Sequence, residues 1–145
     1  MAKISKIQRL QVHSKFDGCC AYCGESIELK SMQVDHVIPQ SDFINNIKGN
    51  EFEKTHRIPD FLKHLGPSDI NHPDNLFPAC RVCNNWKSWH SLEFFRSEIS
   101  LQVTRLRRDS SAFRMAERYG LVGEIETKIE FYFEQFENNK SQKHG

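Results

Sequence analysis

A chain of 145 residues and 17.0 kDa is the size of one domain. Its 38% hydrophobic content, 11 Phe and mean hydropathy of -0.62 allow only a modest core, which a bound metal would help to hold. A net charge of +1 excludes a uniformly basic nucleic-acid binder, and no apolar run follows Met1-Ala2-Lys3 or reaches membrane-span length, so a cytoplasmic chain without a membrane partner is expected.

Residues 4–16 read as a short helix with Ile4, Ile7 and Leu10 on one face, ended by Asp17-Gly18. Cys20 to Gly24 forms a knuckle in which Gly24 permits the tight turn. Met32 to Ile38 is a strand candidate closed by Pro39. Residues 40–73 are rich in turn signals (Asn45-Asn46, Lys48-Gly49-Asn50, Pro59, Gly66-Pro67, Pro73) and read as an insertion, helical at most over Asp60 to Leu65. Asn75 to Ala79 is a second extended segment, and a helix starts at Arg81 and runs to about Trp89. Leu92, Phe95, Ile99, Val103 and Leu106 recur at helical spacing, predicting one helix from Ser91 to about Arg108. Ser110 or Ser111 caps another, and Gly120 suits its left-handed C-cap. Lys128 to Glu134 alternates strictly and predicts a final strand with Ile129, Phe131 and Phe133 on one face.

Cys20-Ala21-Tyr22-Cys23 and Cys80-Arg81-Val82-Cys83 are two Cys-x-x-Cys pairs separated by 56 residues. In a reducing compartment such pairs read as metal ligands, so Cys20, Cys23, Cys80 and Cys83 are expected to close a structural zinc site. Cys19, the fifth cysteine, falls outside the two-residue spacing and is assigned outside the site.

Between the pairs stands Asp35-His36, and Asn84 follows Cys83 directly. Hydrolysis of a phosphodiester needs an activated water and a cation on the leaving oxygen. An imidazole accepts a proton near neutrality, and a carboxylate with an amide oxygen suits a hard cation. On a regular strand Asp35 and His36 face opposite ways, so a strand end or bulge has to bring both to one site.

Val34-Asp35-His36-Val37-Ile38-Pro39, Asp74-Asn75-Leu76 and Cys80-x-x-Cys83-Asn84-x-x-Lys87 together resemble the HNH endonucleases with a ββα-metal core, over residues 16–95. The resemblance implies a zinc-stapled ββα-metal core over 1–95, including the insertion 40–73; with the helical spacing and final alternation beyond it, the expected fold is α+β, with a C-terminal helical extension over 96–145 ending in a β-strand and packed on the core. It implies His36 as general base, and Asp35 with Asn84 as ligands of a catalytic Mg2+ or Mn2+. Asn75 would brace the loop and orient His36, and Lys87 would contact a phosphate. The implied activity is metal-dependent cleavage of nucleic acid, DNA rather than RNA, in a bacterial or phage setting such as restriction, phage defence or DNA processing.

Residues 75–118 hold eight Lys/Arg against four Asp/Glu, whereas 31–74 hold four against seven. This asymmetry makes Arg81, Arg105, Arg107 and Arg108 candidate phosphate contacts. For the three arginines near the end of the long helix, compensation of the helix dipole is an equally good reading. Trp86 and Trp89, three apart on a helix, are expected to pack rather than to stack on a base. His56 and His64 are read mainly as surface residues that could add a ligand or contact DNA. A zinc-dependent nucleic-acid-binding module without catalysis is the alternative function, as is a nuclease subunit active only with a partner protein; the final strand could also pair with a second copy.

Overall fold

The computed structural model describes residues 3–45 and 58–143; His56 and the Lys48-Gly49-Asn50 turn lie outside them. The fold is mixed α+β, and the chain divides into a unit of residues 1–92 with 130–145 and a second unit of residues 93–129. The expected boundary after residue 95 therefore shifts by a few residues, and the C-terminal segment belongs with the first unit.

In the first unit α1 spans Lys6–Ser14 and starts with a capping box, in which the Ser5 side chain and Gln8 bond each other's backbone amides. Its buried face is not the Ile4, Ile7, Leu10 stripe. Ile7 and Leu10 are exposed, and Val12 with Phe16 enters the core. The face is set by polar anchors on the same side: Arg9 donates to the carbonyls of Leu29 and Met32 at 2.9 and 3.0 Å, and His13 Nε2 bonds the Ile27 carbonyl at 2.6 Å.

Strands β1 (Gln33–His36) and β2 (Leu76–Ala79) pair antiparallel, with Gln33 opposite Ala79 and His36 opposite Leu76. Pro78 is tolerated because a two-stranded sheet consists of edges; its carbonyl accepts from Ala21 N at 2.8 Å and so ties the first knuckle to the sheet. Between the strands, among the described residues, lie α2 (Gln40–Asn45) and the 3-10 turns Asp60–Leu62, behind Pro59, and Pro73–Asn75. Helix α3 (Arg81–Lys87) follows β2 after the N-cap Cys80. Seven residues of helix rise by about 10 Å, and three strand steps cover about the same length. The end of α3 therefore reaches the end of β1, where Lys87 Nζ donates to the His36 carbonyl at 3.0 Å.

The predicted strand over Lys128 to Glu134 is absent. Residues 122–131 carry no regular element, and Tyr132–Lys143 is a helix, α7. Its first amides are donated to the knuckle: Tyr132 N to the Tyr22 carbonyl at 3.0 Å, and Phe133 N to the Ala21 carbonyl at 2.8 Å. The Glu134 side chain accepts from Phe131 N, marking the helix start. Phe131 and Phe133 are still buried, as the alternation implied, but they straddle a helix N-terminus. They complete an aromatic core, with Phe133 4.9 Å from Phe77, Phe131 5.3 Å from Tyr22, and Phe16 5.2 Å from Phe77.

The second unit contains most of α4 (Leu92–Ser100), with α5 (Gln102–Asp109) and α6 (Ser111–Arg118). The single long helix expected here is broken at Leu101. The Ser100 hydroxyl bonds back to the Ser97 carbonyl at 2.6 Å, and Leu101 N turns to Glu98, three residues back. Ser110 caps α6, and Gly120 takes φ 73°, as expected for a left-handed C-cap.

Candidate metal centre and cleft

Cys20, Cys23, Cys80 and Cys83 place their sulfurs within 4.8 Å of one another, and Cys19 is not among them. Tetrahedral zinc with bonds of about 2.3 Å requires sulfurs about 3.8 Å apart, and Cys23 and Cys80 Sγ are 3.8 Å apart. The local turns build this geometry. Gly24 N bonds the Cys20 carbonyl at 3.0 Å with Gly24 at φ 80°, and Cys80 Sγ accepts from Cys83 N at 3.4 Å.

Electrostatics support a cation at the centre. A hydrogen bond from Cys83, helped by nearby backbone amides, lowers the Cys20 thiol to about 4. Burial, with the Cys20 thiolate, pushes Cys23 up to about 12. The Cys20 hydrogen bond, then burial, also drives Cys83 upward. Four thiolates cannot coexist at this spacing unless a dication neutralises them, so the donor set fits a structural zinc ion.

Asp35, His36 and Asn84 border one open cleft of about 260 Å³, together with Val34, Pro39, Gln40, Ser41, Ser88 and Trp89. The alternation of β1 is kept. Asp35 turns inward, 5% exposed, and His36 is half-buried on the other side. Both reach the cleft because β1 stops at His36, and the cleft borders the strand end and the start of α2.

Asp35 is held by two groups. The Tyr22 hydroxyl donates to its Oδ2, and Lys87 Nζ lies 3.1 Å from Oδ2 and 3.4 Å from Oδ1. Burial pushes the Asp35 carboxyl up, opposed by the Lys87 ammonium and the Tyr22 hydrogen bond. Tyr22 rises well above the ordinary phenol range through burial, then through the Asp35 charge. A carboxylate offers about four acceptor positions, and these contacts use three of them.

Lys87 cannot contact a phosphate as the sequence predicted, because its side chain is fully buried. A lysine one turn after Asn84 points under the strand, where the Asp35 carboxylate and the His36 carbonyl receive it. Asn75 does not touch the His36 ring either. Its buried amide accepts from Ile38 N at 2.8 Å and donates to the Ile38 and Ile70 carbonyls at 3.2 and 3.1 Å. It braces the loop, and a residue absent from the sequence reading, Asn71, meets the imidazole with Oδ1 2.8 Å from His36 Nε2. An Nε2–H donated to that oxygen leaves Nδ1 as the basic nitrogen of the neutral ring, with the Gln40 amide 3.2 Å away. No spacing signal pointed to Asn71 or to Tyr22.

Three of the arginines predicted as phosphate contacts are paired within the second unit. Arg105 is bidentate on Glu98, Arg107 bonds Glu117 at 2.8 Å and Glu124 at 3.0 Å, and Arg108 bonds Asp109 at 2.7 Å. The Arg107 hydrogen bonds hold Glu117 below the usual carboxylate range. Their charge is balanced locally, which disfavours backbone tracking. Arg81, at the first position of α3, is exposed. Trp86 and Trp89 are 51% and 62% exposed, against the expectation that they pack. Trp89 borders the cleft because Ser88, at φ 51° and ψ -134°, reverses the chain in a turn closed by His90 N on the Lys87 carbonyl.

No protein-family model, curated protein or solved structure matches the chain. Among the described residues no helix is long and apolar enough to cross a membrane.

Proposed function

We propose that this protein is a metal-dependent endonuclease of the HNH type, acting on DNA and stapled by a four-cysteine zinc site. The observation that carries the proposal is the meeting of Asp35, His36 and Asn84 on one open cleft beside that cysteine cluster. His36 Nδ1 takes the proton of the attacking water, while Asn71 fixes the ring through Nε2. Asp35 and Asn84 would hold Mg2+ or Mn2+, which neutralises charge on the phosphate and the leaving oxygen. Lys87 and Tyr22 keep Asp35 ionised and oriented rather than meeting substrate. Trp89, exposed at the rim, offers a stacking surface for a base, and Arg81 a phosphate contact.

A plasmid-nicking assay with Mg2+ or Mn2+ tests this reading. Wild type should nick, and His36→Ala should lose about 100-fold or more in rate, the range for removal of a general base. Nicking that is unchanged in His36→Ala sinks the assignment.

One observation favours a second reading: Asp35 already has a buried cation as its partner in Lys87. If that pair is the resting state and takes no further ion, the chain is a zinc-dependent nucleic-acid-binding module. DNA binding by wild type without cleavage in either metal would select that reading.

A further inference from the structure

Away from the cysteines and the cleft, the connection between β1 and β2 gathers two imidazoles and a carboxylate. His64 Nε2 is 2.8 Å from Asp74 Oδ2, His72 Nδ1 is 3.8 Å from the same oxygen, and one donor atom of each residue lies within 4.8 Å of the others. The two rings meet edge to face with centroids 5.9 Å apart. We propose that His64, His72 and Asp74 form a second zinc site, independent of the four cysteines, with one coordination position left to solvent.

The argument rests on donor type, spacing and backbone support. Two neutral imidazoles and a carboxylate form a borderline nitrogen-oxygen set that suits zinc, and three protein ligands with one open position is the arrangement of exchangeable rather than buried structural zinc. Tetrahedral bonds of about 2.0–2.1 Å place donor atoms about 3.4 Å apart. The observed 2.8 and 3.8 Å to Asp74 bracket that value, and the two imidazole donors lie within 4.8 Å of each other, so side-chain rotation without backbone movement would close the site.

The ligands are also held by the backbone that carries them. His72 is the N-cap of the 3-10 turn containing Asp74, and Asn75 N bonds the His72 carbonyl at 2.9 Å. His64 lies within the turn closed by Leu65 N on the Leu62 carbonyl at 3.1 Å. The ion would displace two contacts, the His64–Asp74 bond and the 3.1 Å bond from Asp74 N to His72 Nδ1. The side chains are 53%, 37% and 52% exposed, so no closed core has to open for the ion to enter.

Lys15 is the competing cation. Burial lowers its basicity, opposed by the Asp74 and Glu137 charges, and its ammonium is already occupied by the Pro73 and Leu76 carbonyls at 2.6 and 3.1 Å. A zinc ion here would clamp the segment that carries Asn71 to His36 and Asn75 to Ile38.

The test is calorimetric titration of zinc at pH 7.5 into protein whose cysteine cluster is already loaded. Wild type should take up about one further equivalent, and the double variant His64→Ala/His72→Ala none. Asp74→Asn should weaken that second event by about tenfold or more. Cobalt bound in the second event should show weak visible bands without thiolate charge transfer. No further uptake by wild type, equal uptake by the double variant, or charge transfer in the second event overturns the proposal. None of these readouts involves DNA, so the outcome is separate from that of the nuclease assay.

Discussion

Lys87→Met removes the ammonium from beneath Asp35 and retains most of the aliphatic volume. The ion pair with Asp35 at 3.1 Å and the bond to the His36 carbonyl at 3.0 Å disappear. With no cation beside it, Asp35 can stay buried by taking up a proton. At pH 7 this costs up to about 4 kcal/mol, from the roughly three units between that pH and the ordinary aspartate pKa, reduced by the upward shift burial already gives Asp35 in the wild type. The orphaned carbonyl adds about 1 kcal/mol, and relief from desolvating Lys87 subtracts a comparable amount. The net loss is about 3–5 kcal/mol, the range for breaking a buried pair from one side, or on the order of 10 °C in Tm.

The sign with pH follows from the same step. In the variant the native Asp35 pKa lies further above the unfolded value than in the wild type, because the Lys87 charge that opposed burial is gone. Its contribution is intact below about pH 4 and is lost as pH rises toward the raised native value. The proton term should therefore shrink to about 1.5 kcal/mol at pH 5. Urea unfolding at pH 7 and pH 5, with the cysteine site loaded and no Mg2+ or Mn2+ present, measures both quantities. Asp35→Asn/Lys87→Met should recover much of the loss at pH 7. A deficit below about 1 kcal/mol at pH 7, or equal deficits at both pH values, would refute the buried-pair account.

Three further outcomes follow from other parts of the structure. Asn75→Ala abolishes three buried side-chain hydrogen bonds and should cost about 2–4 kcal/mol in urea unfolding; less than 1 kcal/mol would mean that the loop re-forms around water. Gly24→Ala places a Cβ 2.8 Å from the Tyr132 ring at φ 80° and should destabilise by about 2 kcal/mol, read as a lower Tm; an unchanged Tm would show that the knuckle and α7 are not locked together. Zinc binding to the metal-free chain at pH 7 should release about two protons or more, since Cys23 and Cys83 are both shifted upward before the ion enters. Calorimetry in two buffers of different ionisation enthalpy counts them, and a release near zero contradicts the description of the cluster.

Local chemistry was legible wherever one short stretch of backbone sufficed. The two-residue cysteine spacing, the Ser110 cap, the left-handed Gly24 and Gly120, and the strand pair flanking a long connection all depend on neighbours in sequence. The misreadings have physical causes of the same kind. Strict alternation over Lys128 to Glu134 marks burial on one face, but Phe131 and Phe133 satisfy it at a helix start whose free amides the first knuckle accepts. The Ile4, Ile7, Leu10 stripe yields to a face anchored by Arg9 and His13, whose partners lie up to 23 residues away.

That four cysteines meet, with an acid, an imidazole and an amide between and beside them, could be read from the chain because fixed spacings carry that information. Packing in three dimensions brought Lys87 to Asp35 rather than to a phosphate, Asn71 rather than Asn75 to His36, and the arginines of the second unit to glutamates and an aspartate. Those partnerships depend on where helix ends, strand ends and turns stop in space, a property of packing that no spacing along the chain encodes.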